Sequence, residues 1–179
     1  MNRNKMISPD SRRKILVVDD EVKICNALRF CLRTEGYRLR FAHSANEALE
    51  LLKSEPSDLI ISDHLIPGMT GMNLLKLVRD RHPDCIRILL TGHADMEIVI
   101  QAVNQGEIYR FLTKPWDNEE LKMTLRFALE KRDVECENRR ILAELRQQPI
   151  DDSLRNAPVS RIPPTASGAI LIEDALAAV

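Results

Sequence analysis

Short aliphatic runs alternate along this chain with longer stretches whose apolar residues recur at helical spacing. Ile15-Leu16-Val17-Val18 and Leu59-Ile60-Ile61 are the clearest runs. Consecutive apolar positions of this length, bounded by turn residues, predict strands buried on both faces of a parallel sheet. Strands are predicted at Lys14–Val18, Arg38–Ala42, Asp58–Ser62, Ile86–Leu90 and Ile108–Thr113. In the second, Leu39 and Phe41 alternate with Arg38 and Arg40, which predicts an edge strand with one wet face. The first helix is expected from Val22 to Glu35, stopped by Gly36, a residue that tolerates left-handed backbone. Ser44 with Glu47 is a capping-box signature that opens a second helix running through Lys53, before Pro56. Further helices are expected over Asn73–Arg81, over Met96–Asn104 before Gly106, and from Asp117 to Gln147. Strand and helix thus alternate throughout, which argues for an α/β fold with a doubly wound five-stranded parallel sheet and an extended C-terminal helix.

Charge adds chemistry to this pattern. Asp19-Asp20 follow the first predicted strand, Asp63 the third and Lys114-Pro115 the fifth, while Thr91 follows the fourth. Residues at the C-terminal ends of parallel strands converge on one edge of the sheet. Three carboxylates and an ammonium gathered there suit a divalent cation and a phosphoryl group, because hard cations take oxygen ligands and Mg²⁺ needs only a few carboxylates besides phosphate oxygens. Each aspartate alone has a plainer explanation as a cap for the helix that follows. Taken together, with Pro67 and Gly71 after Asp63, they form a set that chance seldom supplies.

Residues 14–130 resemble the receiver domain of a two-component response regulator. The motifs that carry the resemblance are Val17-Val18-Asp19-Asp20-Glu21, the stretch from Ile61 to Gly71, Leu90-Thr91-Gly92 and Phe111-Leu112-Thr113-Lys114-Pro115. The resemblance implies a flavodoxin-like strand order, 2-1-3-4-5. It also implies that Asp63 accepts a phosphoryl group from a histidine of a partner sensor kinase or phosphotransfer protein. Mg²⁺ would be held by Asp20, Asp63 and the backbone carbonyl of Leu65, with Asp19 helping through water. Thr91 and Lys114 would contact the phosphoryl oxygens, and Thr91 with Phe111 would form the conformational switch. The alternative for Phe111 is a permanently packed core aromatic. Leu65 and His93 fall where the family tunes loss of the phosphate, and an aliphatic Leu65 cannot orient a water. His93 reads as a loop histidine, and Ile66 replaces the methionine usual before the proline. The Lys-Pro bond is often cis in the family. The fragment Tyr109 to Trp116 is similar to receivers of hydrogenase-type transcriptional regulators and of HD-type cyclic-dinucleotide phosphodiesterases.

Composition narrows the setting. With 179 residues, 44% hydrophobic, 30% charged and a net charge of −1, the chain has room for one domain and no bulk attraction to nucleic acid or membrane. Cys25, Cys31, Cys85 and Cys136 form no C-x-x-C pair and read as reduced thiols. His43, His64 and His82 lack metal-ligand spacing, which argues against zinc. The polar lead over residues 1–13 has no secretion-signal core, and no stretch is long enough to span a membrane, so a cytoplasmic location is expected. Beyond the receiver, residues 131–147 read as a helical extension and 148–179 as a Pro-rich linker or disordered tail. Phe127, Val134 and Ile141 repeat at seven residues, with Asn138 and Leu145 on the neighbouring seam. That fits a parallel coiled-coil homodimer or a solvated extension with incidental apolar residues. No helix-turn-helix pattern, basic face or Walker loop is visible after residue 132, so direct DNA binding is not expected. The reading is a non-enzymatic, phospho-accepting regulator acting by protein contact, stand-alone or truncated. Its rivals are a Mg²⁺-dependent phosphohydrolase, which would lack a general acid where Leu65 sits, and a phosphorylation-independent dimer or scaffold module.

Overall fold

A computed structural model describes residues 12–92, 100, 102–104 and 106–147. Strands β1 (Lys14–Val18), β2 (Arg38–Ala42), β3 (Leu59–Asp63), β4 (Ile86–Thr91) and β5 (Arg110–Thr113) form one parallel sheet in the order β2-β1-β3-β4-β5. This is the expected flavodoxin-like order, with β2 at an edge. Helices α1 (Val22–Leu32) and α4 (Asn118–Gln147) cover one face, and α2 (Ala45–Ser54) and α3 (Gly71–Arg81) the other. Successive side chains along a strand point to opposite faces. Leu16, Val18, Ile60 and Leu89 therefore pack toward α2 and α3, while Ile15, Val17, Ile61 and Ile88 pack toward α1 and α4. Burial on both faces is why these strands are apolar at consecutive positions, each fully buried aliphatic side chain contributing about 1.5–3 kcal/mol.

Local signals set the element ends. Ser44 Oγ accepts the amide of Glu47 at 3.2 Å, and Glu47 Oε2 in return accepts the amide of His43 at 2.7 Å. Thr70 Oγ1 accepts the amide of Asn73, so α3 starts at Gly71 rather than at the predicted Asn73. The first helix ends at Leu32, before the predicted Glu35, and the chain turns through Gly36 at φ 74°. The fifth strand starts at Arg110 rather than Ile108, because the amide of Ile108 bonds the carbonyl of Ala102 instead of a neighbouring strand. Between β3 and α3 lies an antiparallel hairpin, Leu65–Ile66 with Met69–Thr70, where only a turn was expected. Asp117 Oδ1 accepts the amide of Glu120 and opens α4, a helix about 45 Å long at 1.5 Å per residue. Leu121, Leu125, Ala128 and Leu129 are buried against the sheet, whereas Met123, Phe127, Val134, Ile141 and Leu145 are exposed. Among the described residues no helix is long and apolar enough to cross a membrane. The tail over 148–179, the lead up to residue 11, His93 and the first part of the Met96–Asn104 helix lie outside the described residues.

Candidate functional site

The strand order reverses at β1, whose neighbours are β2 and β3, and at such a point a crevice opens beyond the carboxyl ends of the strands. Asp19 and Asp20 leave β1 there, Asp63 is the last residue of β3, and Lys114 follows β5. Lys114 Nζ lies 2.8 Å from Asp19 Oδ2 and 2.7 Å from Asp63 Oδ1. Burial alone would loosen the proton on Lys114, but its hydrogen bonds to Asp19 and Asp63 outweigh that cost and raise its pKa above the ordinary lysine value. The ammonium is thus firmly charged at neutral pH.

One carboxylate oxygen from each of Asp19, Asp20 and Asp63 lies within 4.8 Å of the others. Asp19 is fully buried and Asp63 nearly so, while Asp20 is exposed. This donor set fits Mg²⁺: all ligand atoms are oxygen, and the open side at Asp20 leaves room for the waters that the ion keeps.

Asp19 is held from several directions. Its Oδ1 accepts the amide of Glu21 at 2.9 Å, and its backbone carbonyl lies 3.1 Å from His43 Nδ1 and accepts the Cys25 thiol at 3.5 Å. That amide belongs to the residue just before α1 and not to its first turn, so Asp19 does not cap the helix as its plainer explanation held; it is a buried member of the acidic cluster. Asp63 Oδ2 accepts the amide of Leu65 at 3.2 Å, and the Asp63 carbonyl accepts Ser62 Oγ at 2.9 Å.

Other residues singled out from the sequence surround this cluster. Thr91 is buried at the end of β4, its hydroxyl donating to the carbonyl of Gly92 at 3.0 Å and its own carbonyl accepting the amide of Lys114 at 2.8 Å. Phe111 pairs with Leu89 across β4 and β5 and is half-buried against the α2–α3 side of the core. Leu65 is 71% exposed. The Lys114-Pro115 bond is cis. Beside Lys114 an apolar hollow is lined by Ile24, Pro115, Trp116 and Asn118.

Three supporting residues were not singled out for these contacts. A Cβ on Gly71 would stand 1.8 Å from the Asp63 carbonyl oxygen, so only glycine fits where α3 starts behind the site. The sequence marks Gly71 as a turn residue but cannot show what it approaches. Cys25 reads from the sequence as a reduced thiol, and helical spacing does not reveal that it meets the Asp19 carbonyl. For His43 the sequence shows only a lack of metal-ligand spacing, not its approach to the Asp19 carbonyl.

The comparisons with known proteins accord with this geometry. Residues 15–126, more than half of the chain, match the family model of the response regulator receiver domain. The chain belongs to that family. Over 137 residues, 76% of this chain and 28% of the relative, the receiver is 39% identical to the hydrogenase transcriptional regulatory protein HoxA of Cupriavidus necator. It is 36% identical to the response regulator protein PilR of Pseudomonas aeruginosa over 71% of this chain and 28% of that protein. The chain thus spans little more than a quarter of the length of these curated relatives, which are regulators. The crystal structure of the signal receiver domain of an HD domain-containing protein from Pseudomonas fluorescens Pf-5 superimposes with a TM-score of 0.68 at 42% identity, covering 74% of this chain and 98% of that one.

Proposed function

We propose that this receiver is a phosphorylation-controlled regulator in which Asp63 accepts a phosphoryl group from a phosphohistidine of a sensor kinase or phosphotransfer protein. The observation that carries the reading is the placement of Lys114 Nζ 2.7 Å from Asp63 within the Asp19–Asp20–Asp63 cluster. A carboxylate attacks a phosphoryl group poorly until nearby cations offset the repulsion between anions. A Mg²⁺ ion held by Asp20, Asp63 and the Leu65 carbonyl, with Asp19 helping through water, would supply part of that charge. Lys114 supplies the rest and orients the Asp63 oxygen. In the transfer an Asp63 oxygen forms the new bond to phosphorus, the phosphorus–nitrogen bond of the phosphohistidine breaks, and the imidazole leaves neutral with its proton supplied by water.

The Thr91 hydroxyl, now on the Gly92 carbonyl, turns to a phosphoryl oxygen, and Phe111 repacks as Thr91 moves. Output follows by contact with a downstream protein or by homodimerisation, for which the exposed Phe127, Val134, Ile141 and Leu145 of α4 are the natural seam. The apolar hollow by Trp116 offers the phosphodonor domain a docking edge beside Lys114. The protein acts in the cytoplasm, where such kinases display their histidines, and its chemistry is limited to accepting and losing its own phosphate.

Incubation with Mg²⁺ and acetyl phosphate tests this. An acid-stable, alkali-labile acyl phosphate is expected on the parent chain and not on Asp63→Asn. No labelling in the presence of Mg²⁺ would sink the proposal, and sustained hydrolysis of phosphate esters would replace it with a hydrolase.

A further inference from the structure

At the end of the sheet opposite the acidic cluster, the helical extension is not free of the domain. The Arg132 side chain, only 19% exposed, donates from Nε to the carbonyl of Asp84 at 2.8 Å and sets Nη2 2.9 Å from Asp58 Oδ1. Asp58 is itself laced into the sheet base. Its Oδ2 accepts the amide of Lys14 at 2.8 Å, its own amide donates to the Lys14 carbonyl at 2.9 Å, and its carbonyl accepts the amide of Ile86 at 3.0 Å. Asp58 immediately precedes β3, and Asp84 lies just before β4. Those two strands carry Asp63 and Thr91 at their other ends. Two exposed pairs flank this junction, Arg13 with Asp133 and Arg139 with Asp84.

Exposed pairs of that kind contribute little singly. Arg132 differs because its planar fork meets two fixed acceptors while largely withdrawn from water, which makes the contact directional. We infer that Arg132 is a positioning residue that fastens α4 to the base of β3 and β4, so that residues 130–147 move as one body with the strands bearing Asp63 and Thr91. The extension is then a rigid arm rather than a flexible linker, and a partner bound along it keeps a set orientation to the receiver. This inference is independent of whether Asp63 is phosphorylated.

Amide hydrogen exchange on the full chain tests it. Asp58→Asn keeps an acceptor for the Lys14 amide and removes the charge facing Arg132. Amides of residues 133–147 are expected to exchange at least about tenfold faster in this variant, while those of β3 and β4 keep their rates. Arg132→Lys should act in the same direction, because an ammonium cannot serve both acceptors at the fork's geometry. The inference is overturned if both variants leave the extension within about twofold of the parent rates, or if faster exchange spreads equally through β3 and β4. It fails as well if the parent extension exchanges like unprotected chain.

Discussion

Replacing Gly71 by Ala sets two physical effects against each other. Within a helix Ala is favoured over Gly by up to about 1 kcal/mol, and it also narrows the unfolded ensemble, so propensity alone predicts a stabilised protein. The packing says the opposite. The added Cβ would stand 1.8 Å from the Asp63 carbonyl oxygen, 2.8 Å from the Asp63 carbonyl carbon and 2.9 Å from Ser62 Oγ. Since real Cβ contacts essentially never fall below 3.0 Å, α3 and β3 must part by about 1.2 Å. The two nearest atoms are Asp63 backbone and cannot rotate away; only Ser62 Oγ is a side-chain atom. The Gly71 amide also donates to the His64 carbonyl at 2.8 Å, which resists the separation. Overpacking costs about 1–3 kcal/mol, and an overlap with backbone of this size belongs at the upper end, which leaves a net loss of about 2 kcal/mol after the helical gain. With a urea slope of about 2 kcal/mol per molar, the unfolding midpoint should drop by roughly 1 M. Gly92, with nothing within 4 Å of its added Cβ, is the control, and Gly92→Ala should stay within about 0.5 kcal/mol. Urea unfolding followed by far-UV circular dichroism reads both. An unchanged or raised midpoint for Gly71→Ala would refute the close approach behind Asp63.

Two further outcomes follow from the electrostatics and burial. The pKa of Lys114 is raised in the fold by its bonds to Asp19 and Asp63, so its stabilising contribution is complete below the unfolded lysine value near ~10.4 and fades as pH rises through the higher folded value. In Mg²⁺-free urea titrations, Lys114→Met should cost about 3 kcal/mol, having stripped the partner from the fully buried Asp19. That difference should hold from neutral pH to about 10 and shrink only above it; shrinkage at pH 8 would contradict the assignment. Burial pushes the Cys85 thiol up to about 12 and also raises that of Cys25, whereas Cys136 is only half-buried on α4. Mass mapping after iodoacetamide at pH 8 should find Cys136 modified in the folded protein and Cys25 and Cys85 only after unfolding. Early labelling of Cys85 would show that its site is open.

Much of the molecule was legible before any coordinates. The five strands, their parallel arrangement and the convergence of Asp19, Asp20, Asp63 and Lys114 follow from buried runs with charges at their C-terminal ends. Ser44 and Glu47 announced their reciprocal cap because both partners lie within one helical turn. The Leu65–Thr70 hairpin was missed because two-residue strands have no periodicity to detect. The start of the fifth strand was misplaced because Ile108 is as apolar as a strand residue but spends its amide on the Ala102 carbonyl.

The set of elements, the strand-end placement of the charges and the family are therefore written in residue type and local spacing. Which groups touch depends on the folded chain: Lys114 between Asp19 and Asp63, Gly71 against the Asp63 carbonyl, and Arg132 under the base of β3 and β4. Each joins segments brought together by the crossovers of a doubly wound sheet. Hydrogen bonds and van der Waals limits act over a few ångströms, a scale that spacing along a chain does not encode.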